Sequence, residues 1–428
     1  MTSRADADRC PGVLRPHRAE DGALLRIRIP GGRVAADALL GLSRASHRYA
    51  DGDVHLTSRA NLQLRGVRTN PDGTVADGLV EALAEAGLLP HPTHDRVRNI
   101  MCSPLTGLAG GRTDLRPALA ALDAAICAAP DLAALPGPFL FALDDGRGDI
   151  RVNRADLAAV AVDDDRVRIW AGGVPGPELP LAAAVPTLFG FARRFVDLGS
   201  PAWHVRELPG GGRRFLGGPD PAVDPAAGGA VAVDPVAVDP ATVDPAGAEE
   251  PTAAPAGDPP MLGMFGQHDG RIVASVLVPL GRLSGSHVRA LVDAASAGRG
   301  RLVVTPWRGV LVPDLPSSSL LAGLTAHGLI ADDDSGWRGV TACPGLRCAR
   351  GAGDTEGPAR QIAARPARTP LLPVHVVACA RACGRPSGRH VLATVNRTTT
   401  EICCGETMID VPQGEATDAV TGLRAGAR

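Results

Sequence analysis

An α+β protein built from two copies of one β-α-β-α unit is what this sequence predicts. Three observations predict it. The order strand, Gly-Arg, helix, strand, helix occurs twice along the chain. A stretch composed almost only of Ala, Val, Asp, Pro and Gly lies between the two occurrences. Two close pairs of cysteines follow the second one.

In the first copy Leu25-Arg26-Ile27-Arg28-Ile29-Pro30 reads as a strand. Gly32-Arg33 follows, then a helix around Ala36–Arg48 and a strand ending in Thr57-Ser58-Arg59. A second helix, Val75–Ala86, ends at Gly87-Leu88. In the second copy Ile272–Pro279 reads as a strand, followed by Gly281-Arg282 and a helix around Ser286–Ala297. A strand ending in Thr305-Pro306-Trp307-Arg308 and a helix over Ser318–Ala326 complete it, ending at Gly328-Leu329. Each copy is half of a ferredoxin-like sheet-and-helix layer, and a ligand would lie between two such halves. Beyond each copy lies a cysteine, Cys102 and Cys343, which the duplication makes counterparts.

The residues between the copies carry four Val-Asp-Pro repeats, among them Val223-Asp224-Pro225 and Val243-Asp244-Pro245. Proline blocks helix and central strand, and no large apolar side chain is available to bury, so 217–260 reads as a disordered linker. The expected units are a first half over 1–88, an α/β lobe over 89–216, that linker, a second half over 261–334 and a cysteine-bearing lobe over 335–428.

Composition narrows the class. The 428 residues carry a net charge of −2, which gives no reason to expect a nucleic-acid or membrane partner. No run of 18 apolar residues suggests a membrane span. Met1 to Asp6 are acidic and polar rather than a signal-peptide core. The nine cysteines are odd in number and clustered, which fits reduced thiols and a cytoplasmic location. All 44 basic residues are arginine, so no chemistry of this chain can use a lysine ammonium.

Cys343-x4-Cys348 and Cys379-x3-Cys383 place two ligands each on short stretches of backbone. Four soft thiolates select zinc or an iron–sulfur cluster. The short C-x2-C knuckles of structural zinc sites are missing, which favours a [4Fe–4S] cluster. Arg347, Arg350, Arg381, Arg385 and Arg389 surround the cysteines and would offset the negative charge of such a cluster. The adjacent Cys403-Cys404 reads as structural or redox-incidental, since neighbouring residues rarely ligate one iron well, with a spare ligand as the alternative.

The run Thr57–Gly66 alternates. As a strand it places Arg59, Asn61, Gln63 and Arg65 on one face, with the two guanidiniums ~20 Å apart at ~3.3 Å per residue. Such a face suits a large ligand with several carboxylates, since the guanidinium fork pairs with carboxylates bidentately. The alternative is a solvated polar face of a half-buried strand. Arg96, Arg98 and Asn99 form a second basic cluster before the loop Met101-Cys102-Ser103-Pro104. No Walker A motif, Rossmann glycine fingerprint or H-E-x-x-H is present. Electrons for a cluster would therefore come from another protein or from a transient donor.

These motifs together resemble the nitrite/sulfite reductase superfamily. The resemblance rests on the Thr-x-Arg-x-Asn-Leu-Gln run, the Arg-Asn-x-x-Cys loop and the two late cysteine pairs. Within it the chain is most similar to the precorrin-3B synthase branch, through Cys10-Pro11-Gly12-Val13-Leu14-Arg15-Pro16, Pro104-Leu105-Thr106-Gly107, Thr305-Pro306-Trp307-Arg308-Gly309 and Ala378–Pro386. The fold implied is a pair of ferredoxin-like half domains with two α/β lobes, one binding a tetrapyrrole and one a [4Fe–4S] cluster on Cys343, Cys348, Cys379 and Cys383. The activity implied is O2-dependent hydroxylation of precorrin-3A at C20 with γ-lactone formation. Arg59, Asn61, Gln63, Arg65, Arg98 and Asn99 would hold the substrate. An external donor, ferredoxin- or NAD(P)H-linked, would supply electrons. A second, mononuclear non-haem iron is compatible with that chemistry, but the histidines show no facial-triad spacing and none is assigned. The alternative is a sirohaem-dependent nitrite or sulfite reductase. Two departures bear on these readings. The family has five residues between its first two cysteines, where this chain has four. The reductases carry a Lys/Arg pair before a Phe, where this chain has Gly137-Pro138-Phe139.

Overall fold

The structure is a computed structural model that describes residues 8, 10–19, 21–217, 261–348, 350–365, 371–386 and 388–425. The segment 218–260, expected to be a linker, and Met1–Asp6 lie outside the described residues.

The two halves fold as one body because they exchange strands. The first sheet orders β1 (His17–Ala19), β2 (Gly22–Ile27), β5 (Leu62–Val67) and β4 (Val54–Leu56), and is closed by β13 (Arg282–Leu283) from the second half. The second sheet orders β11 (Gly263–Gly266), β12 (Ile272–Leu277), β15 (Gly309–Leu315) and β14 (Arg301–Val304), and is closed by β3 (Arg33–Ala35) from the first half. Both exchanged pairs are antiparallel. Gly32 precedes β3 with φ 72°, and a Cβ there would run into the Val304 carbonyl. Only glycine lets the chain cross so closely.

Helices α1 (Ala36–Tyr49) and α2 (Asp77–Glu85) cover the first sheet, and α5 (Gly285–Ser296) and α6 (Leu320–Ala326) the second. Helix α5 starts with a reciprocal cap between Ser284 and His287, which satisfies two otherwise orphaned N–H groups. One apolar core runs through both halves, from Leu25, Ile27, Leu39 and Leu62 to Val276, Leu291, Val304 and Val312. Strand exchange and this shared core make the halves interdependent.

Each half is followed by a lobe of one topology. In the first, β6 (Ile100–Cys102), β7 (Phe141–Asp144) and β8 (Leu157–Ala161) run parallel, and β9 (Arg166–Ala171) and β10 (Val174–Pro180) continue antiparallel. In the second, β16 (Val340–Ala342), β17 (Val374–Val377) and β18 (Val391–Val395) run parallel, and β19 (Thr399–Cys404) and β20 (Thr407–Pro412) antiparallel. Helices α3 (Arg116–Ala128) and α4 (Leu181–Asp197) pack on the first lobe, α7 (Glu356–Ala363) and α8 (Gln413–Ala425) on the second.

Two sequence expectations are corrected. Thr57 to Gly66 is not one strand. Thr57 to Asn61 form a tight turn in which Ala60 has φ 55°, and β5 begins only at Leu62. The single polar face from Arg59 to Arg65 therefore does not exist. The counterpart of Cys343 is Ser103 rather than Cys102. Ser103 N donates to Leu143 O just as Cys343 N donates to Val376 O, so Cys102 corresponds to Ala342. One residue of register moves the side chain to the other face of a strand. Cys102 accordingly points into the core of its lobe, where burial raises its thiol pKa.

Candidate functional site

The outer face of the first sheet carries a polar row. Arg26 on β2 is the cross-strand partner of Gln63 on β5, Gln63 of His55 on β4, and His55 of Arg282 on β13. All four side chains line a cavity of about 570 Å3. The opposite wall comes from the second half and its lobe: Arg308, Cys343, Arg347, Cys383 and Gly384.

The corresponding row on the second sheet is Ser275, Leu311, Val303 and Arg33. Leu311 and Val303 are buried there under Leu105 of the first lobe. Duplication has thus produced one polar, open face and one apolar face closed by packing.

Most charges on the cavity wall are paired. Arg65 donates to Asp21 at 2.8 and 3.1 Å. Arg282 reaches Asp53 and Glu356, both at 2.8 Å. His55 meets Asp51 at 2.8 Å, and Arg347 meets Glu356 at 3.5 Å. Arg26 and Arg308 are the exceptions. The Arg26 Nε is buried without a hydrogen-bond partner among the described residues. Burial lowers the Arg26 pKa, and only Cys10 opposes it. Burial alone lowers that of Arg308, with no charged group contributing.

The residues expected to hold a ligand divide accordingly. Gln63 and Arg65 line the cavity. Asn61 is 2% exposed; its Oδ1 accepts from Ile29 N at 3.1 Å and its Nδ2 donates to Asn99 Oδ1 at 3.0 Å. Asn99 in turn donates to Phe139 O at 3.2 Å. Both amides are committed to joining the first half to its lobe. Arg98 grips Asp123 of α3 with two bonds of 2.8 and 2.7 Å. Burial pulls the Arg98 pKa down, but the Asp123 carboxylate holds it above its ordinary value. Arg59 leaves its turn to donate to Pro138 O at 2.9 Å, and burial lowers its pKa, with Arg26 adding to the shift. None of Arg59, Asn61, Arg98 and Asn99 is among the residues lining this cavity.

Sequence reading passed over Arg26, His55 and Arg308. The signal for Arg26 was present in the alternation Leu25-Arg26-Ile27-Arg28, where two arginines share the face opposite Leu25 and Ile27. Arg28 is buried and spent on the carbonyls of Pro11 and Asp95, both at 3.1 Å, leaving Arg26 for the cavity.

At the cysteine wall, burial raises the Cys343 pKa, and Cys379 and Cys383 lie close enough to add to it. Gly345 N donates to Cys343 Sγ at 3.4 Å. Cys348 ends the one-turn helix Gly345–Arg347. His375 is fully buried between the two loops. Its Nε2–H donates to Cys383 O at 2.9 Å, which leaves Nδ1 to accept from the Thr341 hydroxyl at 2.7 Å. Burial pushes its pKa down to about 4, so the ring is neutral at pH 7. A single tetrahedral zinc with Zn–S of ~2.3 Å needs thiolates roughly 3.8 Å apart. Among the described residues no three cysteine sulfurs come within 4.8 Å of one another. Four thiols on two short loops, with backbone N–H groups of Gly345 and Ala378 directed at the Cys343 sulfur, are a donor set that suits an iron–sulfur cluster.

The family model for the nitrite/sulfite reductase ferredoxin-like half domain matches residues 15–84 and, a second time, 265–322. The chain carries two half domains of the nitrite/sulfite reductase fold. Each contributes one of the two exchanged sheets. The chain is 33% identical over 181 residues to the ferredoxin–nitrite reductase of Synechococcus elongatus, covering 38% of this chain and 34% of that enzyme. It is 34% identical over 58 residues to the precorrin-3B synthase of a Sinorhizobium species, covering 14% and 13%. The chain thus spans about a third of the reductase and less of the synthase. The solved structure of the Mycobacterium tuberculosis NirA protein superposes with a TM-score of 0.63 at 18% identity, covering 93% of this chain and 79% of that one. The half domains and lobes therefore have the nitrite/sulfite reductase fold.

Proposed function

We propose that this half-domain protein is a precorrin-3B synthase, an O2-dependent oxygenase acting on a tetrapyrrole. The observation that carries the reading is the segment Gly137-Pro138-Phe139. There the resemblance places the basic pair with which reductases protonate sulfite or nitrite. Here Gly137 N donates to Asp8, Pro138 O accepts from Arg59, and Phe139 is buried against Phe141 and Phe195. The chain has no lysine to replace that pair. Arginine stays protonated in proteins and is a poor proton donor. Six-electron reduction consumes many protons, whereas one hydroxylation consumes two.

The balance of the proposed reaction is simple. One atom of O2 adds at C20 as the hydroxyl, the ring A acetate oxygen bonds the neighbouring carbon of the same C20 double bond to close the γ-lactone, its carboxyl proton passing to the new hydroxyl, and the other O2 atom leaves as water. Two electrons come from an external donor, ferredoxin- or NAD(P)H-linked, and two protons from solvent. Cys343, Cys379 and Cys383, with Cys348 as the fourth ligand, would hold a [4Fe–4S] cluster, which supplies one-electron transfer when bound. The polar row Arg26, Gln63, His55 and Arg282 forms the floor on which the macrocycle lies. His375 keeps the Cys383 loop in place against that floor.

The second reading is a sirohaem-dependent nitrite or sulfite reductase. The longer match to the nitrite reductase favours it. Anaerobic purification followed by iron and sulfide quantitation and an absorption spectrum separates the two. The synthase reading expects about four irons and four sulfides per chain with no haem bands. Strong sirohaem bands in the isolated protein would establish the reductase instead.

A further inference from the structure

Arg26 and Arg308 are the two guanidiniums on the cavity that no described residue neutralises. A charge removed from water is destabilising unless a partner offsets it. Every other arginine of the wall has a carboxylate within 4 Å. An unpaired pair facing one cavity is therefore a feature the fold keeps at a cost.

The duplication shows that neither residue is required by the architecture. The position of Arg26 on the second sheet is held by Ser275. The turn bearing Arg308 is built as the Thr57 turn is. Thr57 N donates to Asn61 O and its hydroxyl accepts from Asn61 N; Thr305 N donates to Gly309 O and its hydroxyl accepts from Gly309 N. At the matching place the first turn has Ala60, with φ 55°, and the second has Arg308, with φ 60°. A long side chain in this left-handed region is strained. The strain also aims the side chain. Gly281 makes room for it, since a Cβ at 281 would press into Arg308 Cδ. The same fold is built in the other half with a methyl group, so the guanidinium serves the cavity rather than the turn.

Building on the synthase reading, we infer that Arg26 and Arg308 form a two-point anion clamp that takes two carboxylates of one ligand. Arg26 grips from the floor sheet of the first half. Arg308 grips from the wall of the second half, beside Gly384 and the Cys383 loop. A ligand with carboxylates on opposite edges of a rigid plate closes the clamp; a monocarboxylate leaves one arginine unpaired. The roles expected of Arg59 and Arg98 pass to this pair, because those two are already bonded within the protein.

The test uses the full chain, purified anaerobically, with uroporphyrin and its octamethyl ester as probes. Binding is read by fluorescence quenching and by the shift in melting temperature. Wild type is expected to bind the free acid and not the ester. Arg26→Gln and Arg308→Gln are each expected to weaken binding of the acid at least tenfold. Without ligand, both variants are expected to melt at or above the wild-type temperature, since each removes a buried unpaired charge. Arg308→Lys should recover only part of the affinity, because an ammonium lacks the bidentate fork. Two glutamine variants that bind like wild type, or a wild type that binds acid and ester equally, would overturn the clamp. Variants that melt well below wild type would assign the arginines a structural role and also refute it. Oxygenation of precorrin-3A by the wild type tests the synthase reading separately, so the two can fail independently.

Discussion

Asn61 Nδ2 donates a 3.0 Å hydrogen bond to Asn99 Oδ1, and this bond ties the turn before the floor strand to the first lobe. Both side chains are 2% exposed, and their remaining contacts go to the backbone at Ile29 and Phe139. Asn61→Ala is expected to destabilise the protein by about 1–3 kcal/mol, the cost of leaving buried polar groups unsatisfied. Chemical denaturation measures it. Uroporphyrin affinity of the folded variant should stay within a few-fold of wild type.

Arg98 and Asp123 make a second such joint. Arg98→Gln removes both bonds and leaves the Asp123 carboxylate without its partner, which should cost about 1.5–3 kcal/mol. Ligand affinity should be unchanged. Lost affinity with undiminished stability would instead place Arg98 on the ligand.

Gly32→Ala tests the strand exchange. The added Cβ meets the Val304 carbonyl at a position with φ 72°, so the crossing into the second half must shift. The expected result is poor soluble yield or a melting temperature lowered by several degrees. Gly87→Ala is the control: it also has positive φ, 69°, but meets nothing within 4 Å, and should cost less.

Asp149 predicts a pH dependence. Burial raises its pKa to about 7; Asp144 and Asp145 add to this, and the Ser103 hydroxyl at 2.6 Å and Arg147 oppose it. A folded acid with a raised pKa holds its proton where the unfolded chain has released it. Its contribution is therefore present at low pH and lost as pH rises from about 4 through about 7. Asp149→Asn removes that dependence. Melting curves at pH 5 and pH 8 should differ less for the variant than for wild type, with the gain of the variant at pH 8.

The duplicated half domains were legible because strand, turn and helix signals are local. The exchange of β3 and β13 was not, since nothing in Arg33-Val34-Ala35 or Arg282-Leu283 says which partner a short edge strand will choose. The site was legible in part. Gln63 and Arg65 reach the cavity as the alternation required. Arg59 and Asn61 do not, because Ala60 adopts a positive φ that alanine does not advertise in a sequence as glycine does. Arg308 stands in Thr305-Pro306-Trp307-Arg308-Gly309, but its meaning depends on its equivalence to Ala60, which appears only when the two turns are folded.

The most direct test of the account is the mass of the product formed from precorrin-3A under 18O2 with a reducing donor. One 18O atom in the product, with the second recovered as labelled water, is the predicted result. Turnover of nitrite or sulfite by a sirohaem-loaded protein, with precorrin-3A left unlabelled and unchanged, would contradict it.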